Sequence, residues 1–527
     1  MKLKIKIFCA SLERATESKC TSLLLCLLAG IMGALPYYFE YLFLFTFVSL
    51  FCLFYIVIKQ REALNRCYLP FFCYFIGFYT PVYLFLSELY PYSNFGFDKT
   101  QAIFVLICSC LAIPLLHASV EAGIMSFCKL FFGNWSDIIG FGALWVIGEW
   151  VLTLGVLAFP WTAVAVSFTG FLPYLQTASL FGKLFITFIT AASCYALAYA
   201  VRKKIKLYAF LGIGIILLNT FVGTVLYLTP TQRGDEFKVA AIQGNVLSNE
   251  KWDIENNGTI FERYISLTEE AAKSGAELII LPESAIPQRF VPDGAIHREL
   301  ARITKQYSVT IVTGVHYYDH ELAESYNAVI AVLPDGSGSL SEHYDKRHLV
   351  PFGEFIPFAD TLSDIFPFVA ELNLSRVTLV EGKEPTVIET NHGSIGPLVC
   401  FDSIFPQFAK ESVANGADFI SIVTNDSWFN DSVGVYTHLR HAQLRAIENK
   451  RYVLRAANTG VSAFIDEHGN IITQTQPLTI DIAYANACRV SGRTLYTYVG
   501  DVVLYISFAI LLFYFAFYLR SNKNGNH

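Results

Sequence analysis

A carboxylate, an ammonium and a thiol stand out in one polar stretch of an otherwise apolar 527-residue chain: Glu283 in LIILPES, Lys346 in YDKRHLVPFGE and Cys400 in GPLVCFDS. These are the minimum needed to make and break an acyl-enzyme. The carboxylate moves protons, the cation stabilises developing negative charge, and the sulfur attacks a carbonyl. Glu283 and Cys400 each end a predicted strand, where a side chain is held rigidly yet faces a crevice. Cys400 also precedes a predicted helix, and with a lysine nearby its thiol is expected to fall below the free value of about 8.5. Each residue alone has a plainer reading. Glu283 could be a solvated loop carboxylate, Lys346 part of the solvated run EHYDKRH, and Cys400 half of a disulfide with Cys488.

The block 229–499 has to position them, and its pattern alternates strands with helices. FKVAAIQGNV (237–246) predicts a buried strand, and 259–273 a helix with Ile260, Tyr264, Leu267 and Ala271 on one face. Strand 277–282, a helix near 295–306, VTIVTGV (309–315) and NAVIAVLPDG (327–336) follow, with Asp335-Gly336 as turn chemistry. Residues 386–400 read as a hairpin whose second strand delivers Cys400. DFISIVTND (418–426) is another strand, 436–449 a helix, and YVLRAAN and VSAFIDE a strand pair. This alternation predicts a layered α/β domain with helices covering sheet.

The rest of the chain is apolar. With 54% hydrophobic residues it reads as a polytopic membrane protein. Seven apolar segments, roughly 21–37, 41–58, 68–88, 102–122, 138–156, 178–200 and 206–228, precede the polar block, and one at about 500–519 follows it. The first two are short and flank Glu40, so a hairpin dipping partway is the alternative to two full spans. The chain thus divides into a membrane domain (1–228), a catalytic domain (229–499) and a C-terminal span with its tail (500–527). Basic residues cluster before the first span and after the second, fourth, sixth and last, whereas 157–177 has none. The positive-inside rule therefore puts both termini in the cytoplasm and the catalytic block across the membrane. The net charge of −6 argues against a nucleic-acid partner.

In this order, the three residues and their surroundings resemble the nitrilase (carbon–nitrogen hydrolase) superfamily. The membrane flanks narrow the resemblance to its apolipoprotein N-acyltransferase family. It rests on QGNVLSNEKWD (243–253), LPESAIP (281–287), DKRHLVPFGEFIP (345–357), NDSWF (425–429), HLRHAQLRAIENKR (438–451) and RTLYTYVGD (493–501), with GEW (148–150) and FPW (159–161) in the membrane half. The resemblance implies a nitrilase-like αββα sandwich inserted in a polytopic helical membrane protein of about eight transmembrane helices. It also implies a monomer in the bacterial inner membrane, with the catalytic domain periplasmic and neither cofactor nor metal. Glu283 would be the general base, Lys346 the oxyanion partner and Cys400 the nucleophile. Glu354, Trp252, Phe401 and Asp402 would bind substrate, Trp252 on a mobile arm over the entrance. The acyl donor would be a membrane phospholipid, preferably phosphatidylethanolamine, and the acceptor a diacylglyceryl apolipoprotein. The chain departs from the family pattern at Phe401-Asp402, where many relatives carry Tyr-Glu, and at Gly434-Val435 and Thr437, where Gly-Pro and Gln are usual.

Two other classes compete: a membrane-tethered amidase using the same three residues, and a transporter with a degenerate soluble domain. Few ionisable residues in the spans disfavour the transporter. Glu149, inside a span, reads as a structural hydrogen-bonding group. His343, His348, His438 and His441 do not make a metal-ligand set. The Phe-rich loop 351–372 reads either as core packing or as an arm touching bilayer or acyl chain.

Overall fold

The computed structural model describes residues 18–64, 67–90, 98–251, 253–335, 342–365 and 378–524. Its first part is helical: α1 (Lys19–Tyr38), α2 (Leu44–Leu64), α3 (Tyr68–Tyr83), α4 (Lys99–Met125), α5 (Asp137–Val151), α6 (Lys183–Lys203) and α7 (Lys206–Leu228). Among the described residues, six helical segments are long and apolar enough to cross a membrane: Lys19–Tyr38, Tyr68–Leu89, Lys99–Leu130, Lys183–Lys203, Lys206–Leu228 and Val502–Ser521. The other two of the eight expected spans are shorter apolar helices. In α2 the apolar stretch is Leu44–Lys59. Helix α5 has 15 residues, nearly all buried, and its length of about 22 Å falls short of the hydrocarbon core. The expected segment 178–200 is broken at Gly182, where φ is +77°.

The polar block builds two sheets. One has six strands: β1 (Arg233–Gln243), β2 (Leu278–Ile280), β3 (Thr310–Asp319), β4 (Glu324–Val332), β5 (Tyr344–Asp345) and β11 (Asp481–Val490), in the order β11-β1-β2-β3-β4-β5. The other has five: β6 (Ile395–Val399), β7 (Phe419–Thr424), β8 (Tyr452–Ala457), β9 (Ala463–Ile465) and β10 (Ile471–Gln474), in the order β10-β9-β8-β7-β6. In each sheet three parallel strands are followed by an antiparallel one. Helices α8 (Asn257–Lys273) and α9 (Ala295–Tyr307) link the parallel strands of the first sheet, α10 (Pro406–Ala414) and α11 (Val433–Asn449) those of the second, and α12 (Val502–Asn524) returns to pack on α5.

Side-chain alternation explains why the sheets stack between helix layers. Phe237, Val239 and Ala241 of β1 join a core with Val399, Phe419, Val423 and Leu454 of the opposite sheet. Their neighbours Ala240 and Ile242 face the other way, into a core with Tyr264 and Leu300 of α8 and α9. Ile420 and Ile422 likewise turn toward Ala442 and Ala446 of α11. The result is an αββα sandwich.

The two halves are joined by polar contacts at one end of the membrane helices. Arg440 Nη1 donates to the carbonyls of Pro36 and Tyr37 at the end of α1, both at 2.9 Å. Asn430 donates to Glu88 at 3.0 Å, Gln176 to the carbonyl of His468 at 2.8 Å, and Tyr227 to Asn470 at 2.7 Å. The backbone N–H of Lys183 donates to Glu448. Helix ends 38, 89, 183 and 228 therefore lie on the catalytic-domain side, and the other ends of α2, α4 and α6, at 64, 125 and 203, lie away from it. Glu149, within the helical half, accepts from the N–H of Val164 at 2.7 Å and the hydroxyl of Thr187 at 2.8 Å.

Candidate active site

Glu283 follows β2 by three residues, Lys346 directly follows β5, and Cys400 directly follows β6. These strand ends bring the three side chains together, Lys346 bonded to Glu283 and both in electrostatic contact with Cys400. Glu283 and Lys346 are almost completely buried, 6% and 1% exposed. Glu283 Oε1 accepts from Asn327 Nδ2 at 2.7 Å and from Lys346 Nζ at 3.3 Å, while its Oε2 accepts from the N–H of Asn425 at 2.8 Å. Gly314 on β3 makes room for this turn, since a Cβ there would lie 2.6 Å from the Glu283 Cα. Lys346 Nζ also donates to Glu354 Oε1 at 2.9 Å, and Glu354 Oε2 accepts from the N–H of Val350 at 2.8 Å.

Burial alone would raise the Glu283 carboxyl, but Lys346, Lys251 and the Asn327 hydrogen bond outweigh it and hold it below its ordinary value. The same carboxylates, Glu283 and Glu354, hold Lys346 well above its ordinary value against the cost of its own burial. Base and cation are therefore both charged at rest.

Cys400 sits in a left-handed backbone conformation, φ +49°, at the first residue of a short 3₁₀ turn, Cys400–Ile404. Cys400 and Cys488 are both free thiols, so the disulfide alternative fails. The expectation of a thiolate-prone sulfur is also corrected. Although Cys400 as a residue is only partly buried, burial of its thiol and then the Glu283 carboxylate push the thiol up, and Lys346 offsets this only in part. Sequence shows a lysine nearby but neither the packing nor the facing carboxylate. A resting thiol needs a base to take its proton, and the ionised Glu283 is placed electrostatically close to it.

Two participants were missed from sequence. Asn327 on β4 donates to both Glu283 and Glu354, the second at 3.2 Å. A lone asparagine in an apolar strand was the available signal. Lys251 is 1% exposed and donates to the Glu283 carbonyl at 3.0 Å. Burial lowers it to about 8, against the pull of Glu283 and Cys400. With two buried cations facing two carboxylates, the site is close to neutral, as a buried charge cluster must be.

The expected substrate-binding residues divide. Glu354 lies in the cluster. Trp252 lies outside the described residues. Phe401 and Asp402 are both buried. The fully buried Asp402 carboxylate accepts from Tyr344 Oη at 2.8 Å and from the N–H groups of His348, Arg347 and Val399, tying the Lys346 loop to the Cys400 turn. Phe401 stacks on Phe159 of the membrane half, centroids 5.7 Å apart, and on His348. Of the Phe-rich loop, Phe352 and Phe358 are exposed; Phe366 and Phe368 lie outside the described residues.

Two sheets packed face to face between helices, with a carboxylate, an ammonium and a thiol brought together at strand ends, define a carbon–nitrogen hydrolase domain, and that family's model matches residues 238–493. The helical half matches the apolipoprotein N-acyltransferase N-terminal domain over residues 29–196. The chain is 32% identical to the apolipoprotein N-acyltransferase of Shewanella oneidensis, over 72% of this chain and 73% of that one. It is also 32% identical to that of Geobacter metallireducens, over 70% and 71%. The chain belongs to the apolipoprotein N-acyltransferase family. Among solved structures it is similar to Saccharomyces cerevisiae Nit3, a member of branch 10 of the nitrilase superfamily, at 21% identity over 49% of this chain and 93% of that one with a TM-score of 0.39. It is similar too to an amidase from Nesterenkonia sp., at 16% identity over 53% and 99% with a TM-score of 0.39.

Proposed function

We propose that this protein moves an acyl chain from a membrane phospholipid, preferably phosphatidylethanolamine, to the N-terminal α-amine of an S-diacylglyceryl-cysteine apolipoprotein. The reaction passes through a Cys400 thioester. One contact carries the reading beyond acyl chemistry in general: the nucleophile's neighbour Phe401 stacks on Phe159 of the membrane half. The thiol is thereby held beside the membrane helices, within reach of an ester whose chains remain in the bilayer. Glu283 takes the thiol proton as sulfur attacks the ester carbonyl, and Lys346 steadies the tetrahedral oxyanion. The C–O bond then breaks, and Glu283 returns the proton to the departing lysophospholipid. In the second half-reaction the α-amine attacks the thioester, the C–N bond forms, the C–S bond breaks, and the amine's proton passes through Glu283 to the sulfur. Glu354 holds Lys346 in place. The catalytic domain is periplasmic and both termini cytoplasmic, a reading supported by the basic loops at helix ends facing away from that domain.

The test supplies purified enzyme with phosphatidylethanolamine and a diacylglyceryl-cysteinyl peptide and weighs the peptide by mass spectrometry. Transfer adds one acyl chain to the amine and releases an equal amount of lysophospholipid. Acetylating the amine abolishes transfer but leaves the Cys400 adduct intact. Free fatty acid with an unchanged peptide mass would instead identify a hydrolase, and acylation of the blocked peptide would remove the amine assignment.

A further inference from the structure

A buried chain of charged and polar groups runs behind the nucleophile and takes no part in the proton transfers just described. Arg455 Nη2 donates to Asp426 Oδ2 at 2.6 Å, and Asp426 Oδ1 faces His438 Nδ1 at 2.9 Å. His438 Nε2 lies 3.1 Å from the Cys400 carbonyl oxygen and 2.8 Å from Ser403 Oγ, which itself donates to that carbonyl at 2.7 Å. Arg455, Asp426 and His438 are at most 1% exposed. Thr424 donates to Asp426 at 2.9 Å and also hydrogen-bonds the Cys400 thiol.

Donor counting gives the arrangement of these bonds that feeds the carbonyl most fully. Burial would raise the Asp426 carboxyl, but Arg455 and His438 hold it at about 2, so its oxygens only accept and Nδ1 donates. The Cys400 carbonyl also only accepts, and Ser403 has a single proton, spent on that carbonyl. With Nε2 donating as well, both the Cys400 carbonyl and Ser403 Oγ have a donor, while Arg455 Nη2 also lies 3.2 Å from Nδ1. Two donors therefore converge on the carbonyl of a residue whose left-handed backbone is disfavoured for an L-amino acid. Strained backbone of this kind persists only where its surroundings over-determine it.

We propose that His438, anchored by Asp426 and Arg455, is a positioning residue that clamps the Cys400 carbonyl and so holds the left-handed turn that aims the thiol at Glu283 and Lys346. The clamp also faces the membrane half. Trp161 lies against His438 with ring centroids 5.6 Å apart, and His441, one turn further along α11, hydrogen-bonds the Trp161 carbonyl at 3.1 Å. The inference rests on Cys400 being the nucleophile.

A matched pair of variants in the full-length enzyme tests it. The amide of His438→Asn reaches about where Nδ1 sits and keeps the Asp426 contact while losing Cys400; that of His438→Gln reaches about where Nε2 sits and keeps the carbonyl contact. Single-turnover acylation by phosphatidylethanolamine should fall about a hundredfold in the Asn variant and less than about tenfold in the Gln variant, the scale expected when a nucleophile is misaimed. The phospholipid concentration for half-maximal rate should be unchanged, and the rate of Cys400 alkylation by iodoacetamide, read from its tryptic peptide, should fall in the same order. Equal rates in the two variants would overturn the clamp. If His438→Asn does not fold, Ser403→Ala, which removes the other donor on the same carbonyl, must slow acylation several-fold, and a native rate there overturns it too. Cys400→Ala separates the two ideas: an acyl adduct persisting in that variant refutes the nucleophile itself.

Discussion

The backbone N–H of Asn425 donates to Glu283 Oε2 at 2.8 Å, joining residues 142 positions apart. One carboxylate oxygen thus belongs to each sheet: Oε1 faces Asn327 and Lys346 of the first, Oε2 the end of β7 in the second. Both oxygens face donors only, so a glutamine amide must point N–H at N–H whichever way it turns. Glu283→Gln is therefore expected to lose both the base and its seat. Its single-turnover acylation rate should drop on the order of 10² to 10⁴-fold, with a lowered melting temperature. A near-native rate would take Glu283 out of the reaction.

Lys251 makes a prediction in pH. As a cation beside Glu283 and Cys400 it favours the anionic steps of acylation, and it loses its proton near pH 8. The acylation half-reaction, run without acceptor so that no substrate amine titrates, should slow as pH rises through about 8. Lys251→Arg should remove that limb because a guanidinium stays charged there, and Lys251→Met should be slow at every pH. A limb that survives in Lys251→Arg belongs to another group.

Asp402 should be visible in stability. Burial pushes its carboxyl up to about 6, though Lys346, Tyr344 and backbone N–H groups offset part of the shift. The folded value lies above the unfolded one, so its contribution is complete below about pH 4 and is lost as pH rises through about 6. Melting of the native protein minus that of Asp402→Asn should show a loss of roughly 3 kcal/mol across this window. A flat difference would mean that the carboxyl is already ionised at pH 4.

Orientation is testable with a reporter active only outside the cytoplasm. Fused at about residue 235 it should be active, and after residue 520 silent, as the positive-inside rule requires. The reverse pattern would invert the topology.

Much of this architecture was legible because its strands are buried on both faces and read as unbroken apolar runs, as in Leu278–Ile280 and Phe419–Thr424. Strand β11 escaped notice because it is an edge strand whose exposed Asp481, Asn486 and Arg489 interrupt its apolar pattern. Glu283 and Cys400 could be read from strand ends, whereas Lys346, in the charged run EHYDKRH, was picked out by the resemblance. Lys251 could not, because a lysine in a polar stretch ordinarily signals a solvated surface; only the fold turns it inward onto the Glu283 carbonyl. Phe401 and Asp402 entered through the resemblance, as substrate-binding residues; in the 3₁₀ turn that begins at Cys400 both side chains are buried.

Arg440 closes the last carbonyls of α1 from 404 and 403 residues downstream. At a synthesis rate of about 5–20 residues per second, the end of the first membrane helix waits roughly 20 to 80 s for its partner to leave the ribosome. Until then those carbonyls must be satisfied by interfacial water or lipid headgroups. A helix made early is thus among the last to be finished, and a membrane half made without its catalytic domain would remain permanently in that unfinished state.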